Sequence, residues 1–238
     1  MMPYSNPPFV SRALAGLLLC AGLLASPLDT LAQTDNVSNT KHNLSLLSGG
    51  NDPTVGNNLV DYGEVCVYCH TPHTGSISAP LWNRNFSSAT YNMYDANHSS
   101  TIDMNVDAQP SGTSLACLSC HDGTIGLDVV VNAPNSYGGG VPGSTPGTNT
   151  MPASSNALLD TDLRNDHPIS VVFDPGQDPA FNAVASVRAA GVKLFVDPTS
   201  LGEKVQCASC HNPHNNTNSP LLRINNSGSS LCLTCHIK

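Results

Sequence analysis

Charge and aromatic rings are scarce in this chain. Only 11% of its 238 residues are charged and 5% are aromatic, against about 25% charged in an average domain. Nine Lys and Arg face seventeen Asp and Glu, a net charge of −8, which excludes the clustered cations that nucleic-acid phosphates require. No stretch sustains a helical or strand apolar period, while nineteen Gly and eighteen Pro punctuate the chain, so regular secondary structure is expected to be sparse. Something other than side chains must fill the interior, and an apolar cofactor would do so.

Long apolar runs are also missing, with one exception. Residues 13–25 form an apolar stretch behind Arg12, and Thr30-Leu31-Ala32 offers a cleavage site, so residues 1–32 read as an export signal and the mature chain begins near Gln33. The run is shorter than the roughly 20 residues of a membrane-spanning helix. The mature chain, residues 33–238, is therefore expected to carry no transmembrane segment and to be secreted, at the outer-membrane surface or outside the cell, with a periplasmic location as the alternative. Cys20 follows Leu19, where a lipidated cysteine normally follows a small residue.

The other eight cysteines stand in four frames of one form: Cys66-Val67-Tyr68-Cys69-His70, Cys117-Leu118-Ser119-Cys120-His121, Cys207-Ala208-Ser209-Cys210-His211 and Cys232-Leu233-Thr234-Cys235-His236. C-x-x-C-H is the attachment signature of c-type haem. Two thiols on one turn reach the two vinyl-derived carbons of a porphyrin, and the next residue places an imidazole under the iron. A four-thiolate zinc site matches the spacing of the last two pairs but needs no histidine after each. Disulfides suit an exported chain and leave the same histidines unexplained. The frames thus imply four covalent c-type haems with iron, held by Cys66, Cys69, Cys117, Cys120, Cys207, Cys210, Cys232 and Cys235. His70, His121, His211 and His236 are then the proximal ligands.

Five histidines remain, and the chain repeats itself in a way that sorts them. His42, the frame ending His70-Thr71-Pro72-His73, Pro80-Leu81-Trp82 and Gly112-Thr113-Ser114-Leu115 before Cys117 make one unit. His167, the frame ending His211-Asn212-Pro213-His214, Pro220-Leu221-Leu222 and Gly228-Ser229-Ser230-Leu231 before Cys232 make the other. Each unit owns two frames and two extra histidines, the number of distal ligands it requires: His42 and His73, then His167 and His214. His98 has no counterpart. His73 follows its proximal histidine by three residues, which reach at most about 10 Å, so His73 and His214 are expected to ligate a neighbouring haem. Met93, Met104 and Met151 are alternative axial groups that the histidine count makes unnecessary.

These residues resemble the doubled-CXXCH multihaem cytochromes c. The likeness runs through Lys41-His42-Asn43-Leu44-Ser45, the first frame with Thr71-Pro72-His73, Pro80-Leu81-Trp82-Asn83, Ser99-Ser100-Thr101-Ile102-Asp103, the second frame with Asp122-Gly123-Thr124, Asp166-His167-Pro168 and the terminal frames. Within that family the chain is most similar to the tetrahaem outer-membrane cytochrome E type of electroactive bacteria, whose members polymerise into extracellular haem filaments, or nanowires. The resemblance implies His42, His73, His167 and His214 as distal ligands, and a distal histidine supplied by an adjacent subunit. His98 falls in a segment that is usually serine-rich.

The expected fold class is mostly irregular and haem-organised, with short helices and a few short strands, at 127–132, 169–173 and 192–196. Two dihaem units, about 33–133 and 153–238, are joined by a Gly/Pro-rich loop over 134–152. Trp82 is expected to pack on a porphyrin. If every iron holds two histidines, no position is left for a substrate. The expected role is therefore electron transfer rather than catalysis, in anaerobic extracellular respiration, with low potentials. A filament subunit needs an open head-to-tail interface with copies of itself, and His42, near the mature start, is placed to cross it. Partners would be upstream periplasmic or outer-membrane cytochromes and an extracellular electron acceptor. The alternatives are a soluble periplasmic tetrahaem shuttle and an oxidoreductase subunit, the latter needing a haem without a distal histidine.

Overall fold

The computed structural model describes residues 36–45, 59–73, 75, 79, 81–134, 149–196 and 202–238. Every described residue belongs to one compact unit, Asp35–Lys238. The export-signal reading, Cys20, Pro80 and the linker between 134 and 149 lie outside the described residues.

Four short helices and one small sheet make up most of the regular structure: α1 (Gly112–His121), β1 (Val171–Val172), α2 (Val184–Ala189), β2 (Phe195–Val196), β3 (Glu203–Val205), α3 (Cys207–Cys210) and α4 (Ser230–Cys235). The sheet order is β1-β3-β2, antiparallel throughout, with Val171 opposite Val205 and Phe195 opposite Lys204. Val106 bridges to Val171, and Lys204, 2% exposed, holds Asp107 at 2.7 Å. The sheet thereby ties the segment leading into α1 to the second half of the chain. The expected strands at 169–173 and 192–196 contain β1 and β2. No strand forms at 127–132; its carbonyls turn inward instead, for a reason that lies in Arg84.

A chain with little regular structure must satisfy its backbone by other means. Here buried Asn and Ser side chains do so. Asn83, fully buried, donates to the carbonyls of Val67 at 2.8 Å and Asn132 at 2.9 Å and accepts the Asn132 N–H at 2.8 Å. The apolar core is split into three small clusters: Tyr62, Val67, Tyr68 and Val130 at the first frame, Tyr91, Met93, Leu118 and Leu163 around α1, and Phe173, Val187 and Val192 with Ile224 and Leu231 beside α2 and α4. Each is too small to organise a domain of this length alone, and each adjoins a frame. No helix among the described residues is long and apolar enough to cross a membrane.

Candidate functional site: four CXXCH turns and their histidines

Three frames lie in α1, α3 and α4, and the first is a hydrogen-bonded turn that closes in the same way. The N–H of the frame histidine bonds to the carbonyl of the first cysteine in His70 at 2.8 Å, His211 at 3.0 Å and His236 at 2.9 Å, and in α1 the same turn belongs to a ten-residue helix. Positions i and i+3 share a helix face, so both thiols of a frame point one way. After Cys210 and Cys235 the backbone turns extended, with ψ of 145° at His211 and 136° at His236, which carries the imidazole away from the helix axis. Gly123 ends α1 with φ +71°, and a Cβ there would stand 2.7 Å from Leu158. Only glycine takes that left-handed cap without strain.

Adjacent frames sit close together. Cys117 donates its thiol hydrogen to Cys207, which raises the first and lowers the second. Behind them a buried polar lattice joins α1 to α3: Ser114 Oγ donates to Gln206 Oε1 and accepts the Cys207 N–H at 3.1 Å, while Gln206 Nε2 donates to Ser111 Oγ at 3.2 Å. Cys69 is pushed up to about 12, first by burial and then by neighbouring Cys120. Cys235 is raised to about 11 by burial, then by Cys210 and Cys232. All eight frame thiols are free. Among the described residues, no three His, Cys, Asp or Glu side chains gather as a metal cluster, and the four-thiolate zinc site is likewise not formed.

What does form is a set of histidine pairs. His42 faces His121 with ring centroids 6.1 Å apart, His214 faces His70 at 6.1 Å, and His167 faces His236 at 6.3 Å. A metal bound by one nitrogen of each ring at about 2 Å requires a centroid separation of roughly 6 Å. The angle between the rings, 66°, 23° and 71° in the same order, is free because each ring can rotate about its metal bond. Two protein donors and no third leave the remaining positions of an iron to a macrocycle. The spacing of each pair is compatible with two imidazoles sharing one iron, and does not fit a metal held by protein alone.

The tautomers fit as well. Nδ1 of His121 lies 2.7 Å from the Ala157 carbonyl, that of His211 3.0 Å from Pro220 O, and that of His167 2.9 Å from Pro168 O. A carbonyl only accepts, so Nδ1 carries the hydrogen and Nε2 keeps the lone pair a metal needs. Burial, helped by His121, His214 and His211, holds His42 down at about 4, and burial lowers His121 and His236 too. Neutral imidazole is the ligating form. Among the described residues four buried side-chain atoms lack a partner, and three of them, His42 Nδ1, Trp82 Nε1 and Thr113 Oγ1, flank frames. Trp82 stands edge-on to His70 at 5.7 Å and 88°.

His42 is half-buried opposite His121, and its segment is stitched to the rest of the chain: Asn43 Nδ2 donates to Ser38 O at 3.0 Å and Asn216 Nδ2 to Asn39 O at 2.8 Å. His73 is exposed, and among the described residues no ring contact pairs it or His211 with another imidazole, although His211 lies near enough to His42 and His121 to act on both. His98 lies apart, against Tyr94 at 5.1 Å, and Met93 packs against Leu118 in the core. Sequence reading missed Arg84, the Ser114–Gln206 lattice and the carbonyls that orient the imidazoles. Arg84 alone left a signal, as one of nine cations in a chain poor in charge.

A family model described as the doubled CXXCH motif matches residues 200–238, taking in the last two frames. No curated protein matches the chain. The class this supports is a multihaem c-type cytochrome, in which CXXCH frames hold haem iron covalently and the protein serves electron transfer.

Proposed function

We propose that the chain is a tetrahaem electron carrier and the repeating subunit of an extracellular cytochrome filament. Cys66 and Cys69, Cys117 and Cys120, Cys207 and Cys210, and Cys232 and Cys235 would each hold one haem, which supplies a one-electron iron couple. The frame histidines would ligate the irons, and His214, His42 and His167 would supply a second imidazole at the first, second and fourth frames. The part of these residues would be to position the irons and insulate them.

The observation that carries the filament reading is the unequal closure of the pairs. In both repeats the early histidine faces the second frame, as His42 does His121 and His167 does His236. His214 crosses from the second repeat to His70 of the first. Repetition of that rule assigns His73 to His211, a pair that is not among the ring contacts of the described residues. In the proposed assembly His73 of one copy completes the third frame of the next, a heterologous contact that does not close on itself. Such a protein acts outside the cell or at its outer surface, between upstream cytochromes and an extracellular acceptor.

Electron microscopy of the secreted protein and of a His73→Ala variant tests this. Filaments from the first, and short particles with one high-spin haem from the second, are expected. Filaments with four low-spin haems from His73→Ala would refute the shared ligand, and single-chain particles with four low-spin haems from the unaltered protein would make it a periplasmic shuttle.

A further inference from the structure

Arg84 is 1% exposed, and all five N–H groups of its guanidinium are used. They reach Ser119 Oγ at 3.3 Å, Ser119 O at 3.0 Å, Gly126 O at 2.7 Å, and the Leu127 and Val129 carbonyls at 2.9 Å each. Every acceptor is uncharged. The buried carboxylates of the same half are bound elsewhere, Asp122 by Tyr91 Oη and the Thr124 N–H, Asp128 by the Val60 N–H and Asn149 Nδ2. A cation taken out of water without a carboxylate in contact is costly, and charge in so dry a place is screened little.

Its position says which groups feel that charge. Ser119 lies between Cys117 and Cys120, so the guanidinium touches the second attachment turn directly. On the first, the residues just before Arg84 lie against the frame, Trp82 bridging to His70 and the Asn83 N–H bonding to Cys69 O at 2.8 Å. Among the described residues the second repeat has no fully buried cation without a carboxylate: Lys204, just ahead of the third frame, is held by Asp107. Ile224 stands where Arg84 would, packed in the apolar cluster of Val187 and Val192, and the preceding Arg223, only partly buried, donates Nε to Ala208 O at 2.7 Å.

Reduction of iron lowers its charge by one, so a fixed nearby cation favours the reduced form. We propose that Arg84 tunes potential: it raises the reduction potentials of the haems on the first and second frames, and not those on the third and fourth. The inference rests on the haem reading of the frames.

The test is a spectroelectrochemical titration of the holoprotein and its Arg84→Gln variant, with covalent haem counted in both. In Arg84→Gln two of the four midpoints should move negative, by roughly tenfold in the oxidised-to-reduced ratio, about 59 mV for one electron, while two stay. Arg84→Lys should restore them. Four unmoved midpoints, or four that move alike in both variants, overturn the proposal. If Arg84→Gln does not accumulate with its haems, Arg84→His decides: two midpoints should fall as pH rises through the imidazole range, and pH-independent midpoints overturn it. Unaltered protein lacking haem on these cysteines would instead remove the haem reading.

Discussion

The loops that follow the first and third frames share a backbone and differ in what they bury. In one, Thr71 N–H bonds to Leu81 O at 2.8 Å and Asn83 N–H to Cys69 O at 2.8 Å; in the other, Asn212 N–H bonds to Leu221 O at 2.7 Å and Arg223 N–H to Cys210 O at 2.8 Å. Leu81 and Leu221 both take the left-handed conformation, at φ 56° and 60°, a costly choice for leucine that the turn imposes twice. His70 bridges to Trp82 as His211 does to Leu222. On this common frame Trp82-Asn83-Arg84 is replaced by Leu222-Arg223-Ile224. The carbonyl inside the frame is capped in both, Val67 O by Asn83 and Ala208 O by Arg223. Holding a frame histidine therefore dictates the backbone, and the side chains that vary decide charge and packing around it.

The widest difference between the two loops should appear in stability. Arg84→Ala leaves four buried carbonyls short of a donor and should cost about 3–5 kcal/mol, whereas Arg223→Ala should cost about 2 kcal/mol. Chemical denaturation of the two holoproteins compares them, and equal losses would break the contrast between a buried and a half-buried cation. Next, Gly123→Ala should destabilise the first half by about 1–2 kcal/mol, because it forces a side chain into the left-handed cap of α1 and against Leu158; thermal unfolding measures it. Trp82→Leu, which copies the second loop into the first, should cost about 1 kcal/mol and preserve haem content; a larger loss would mean that Trp82 does more than fill space.

The smallest effect concerns alkaline pH. Burial raises Tyr68 to about 12 and, with the Asp122 hydrogen bond, raises Tyr91 as well, while no tyrosine lies in residues 153–238. These phenols keep their protons in the folded state above the unfolded value of 10. Their contribution is intact below pH 10 and is lost as pH rises from 10 through 12. Hydrogen exchange followed across that range should open the first half ahead of the second.

The CXXCH frames were legible because covalent haem attachment demands particular residue types at set spacings. The low content of regular structure was legible from Gly, Pro and the missing periodicity, and the strands at 171–172 and 195–196 fell inside expected runs. The segment 127–132 misled, since its β-branched residues suit a strand, yet Arg84 draws the Leu127 and Val129 carbonyls inward and no partner strand competes for them. Which histidine faces which frame was not legible beyond the approach of His214 to His70 of another frame, because pairing depends on how loops of unrelated sequence are stitched together. Arg84 was missed for the same reason: burial of a cation is set by carbonyls more than thirty residues away.

The central claim is four covalent haems, with three axial pairs closed inside one copy and the fourth shared between copies. Intact mass of the secreted protein under denaturing conditions, with spin-state spectra of the dissociated and assembled forms, tests it most directly. The account predicts a mass increment of four haems, one high-spin haem in the separated chain and none in the assembly. Fewer than four haems, or four low-spin haems in the separated chain, would contradict it.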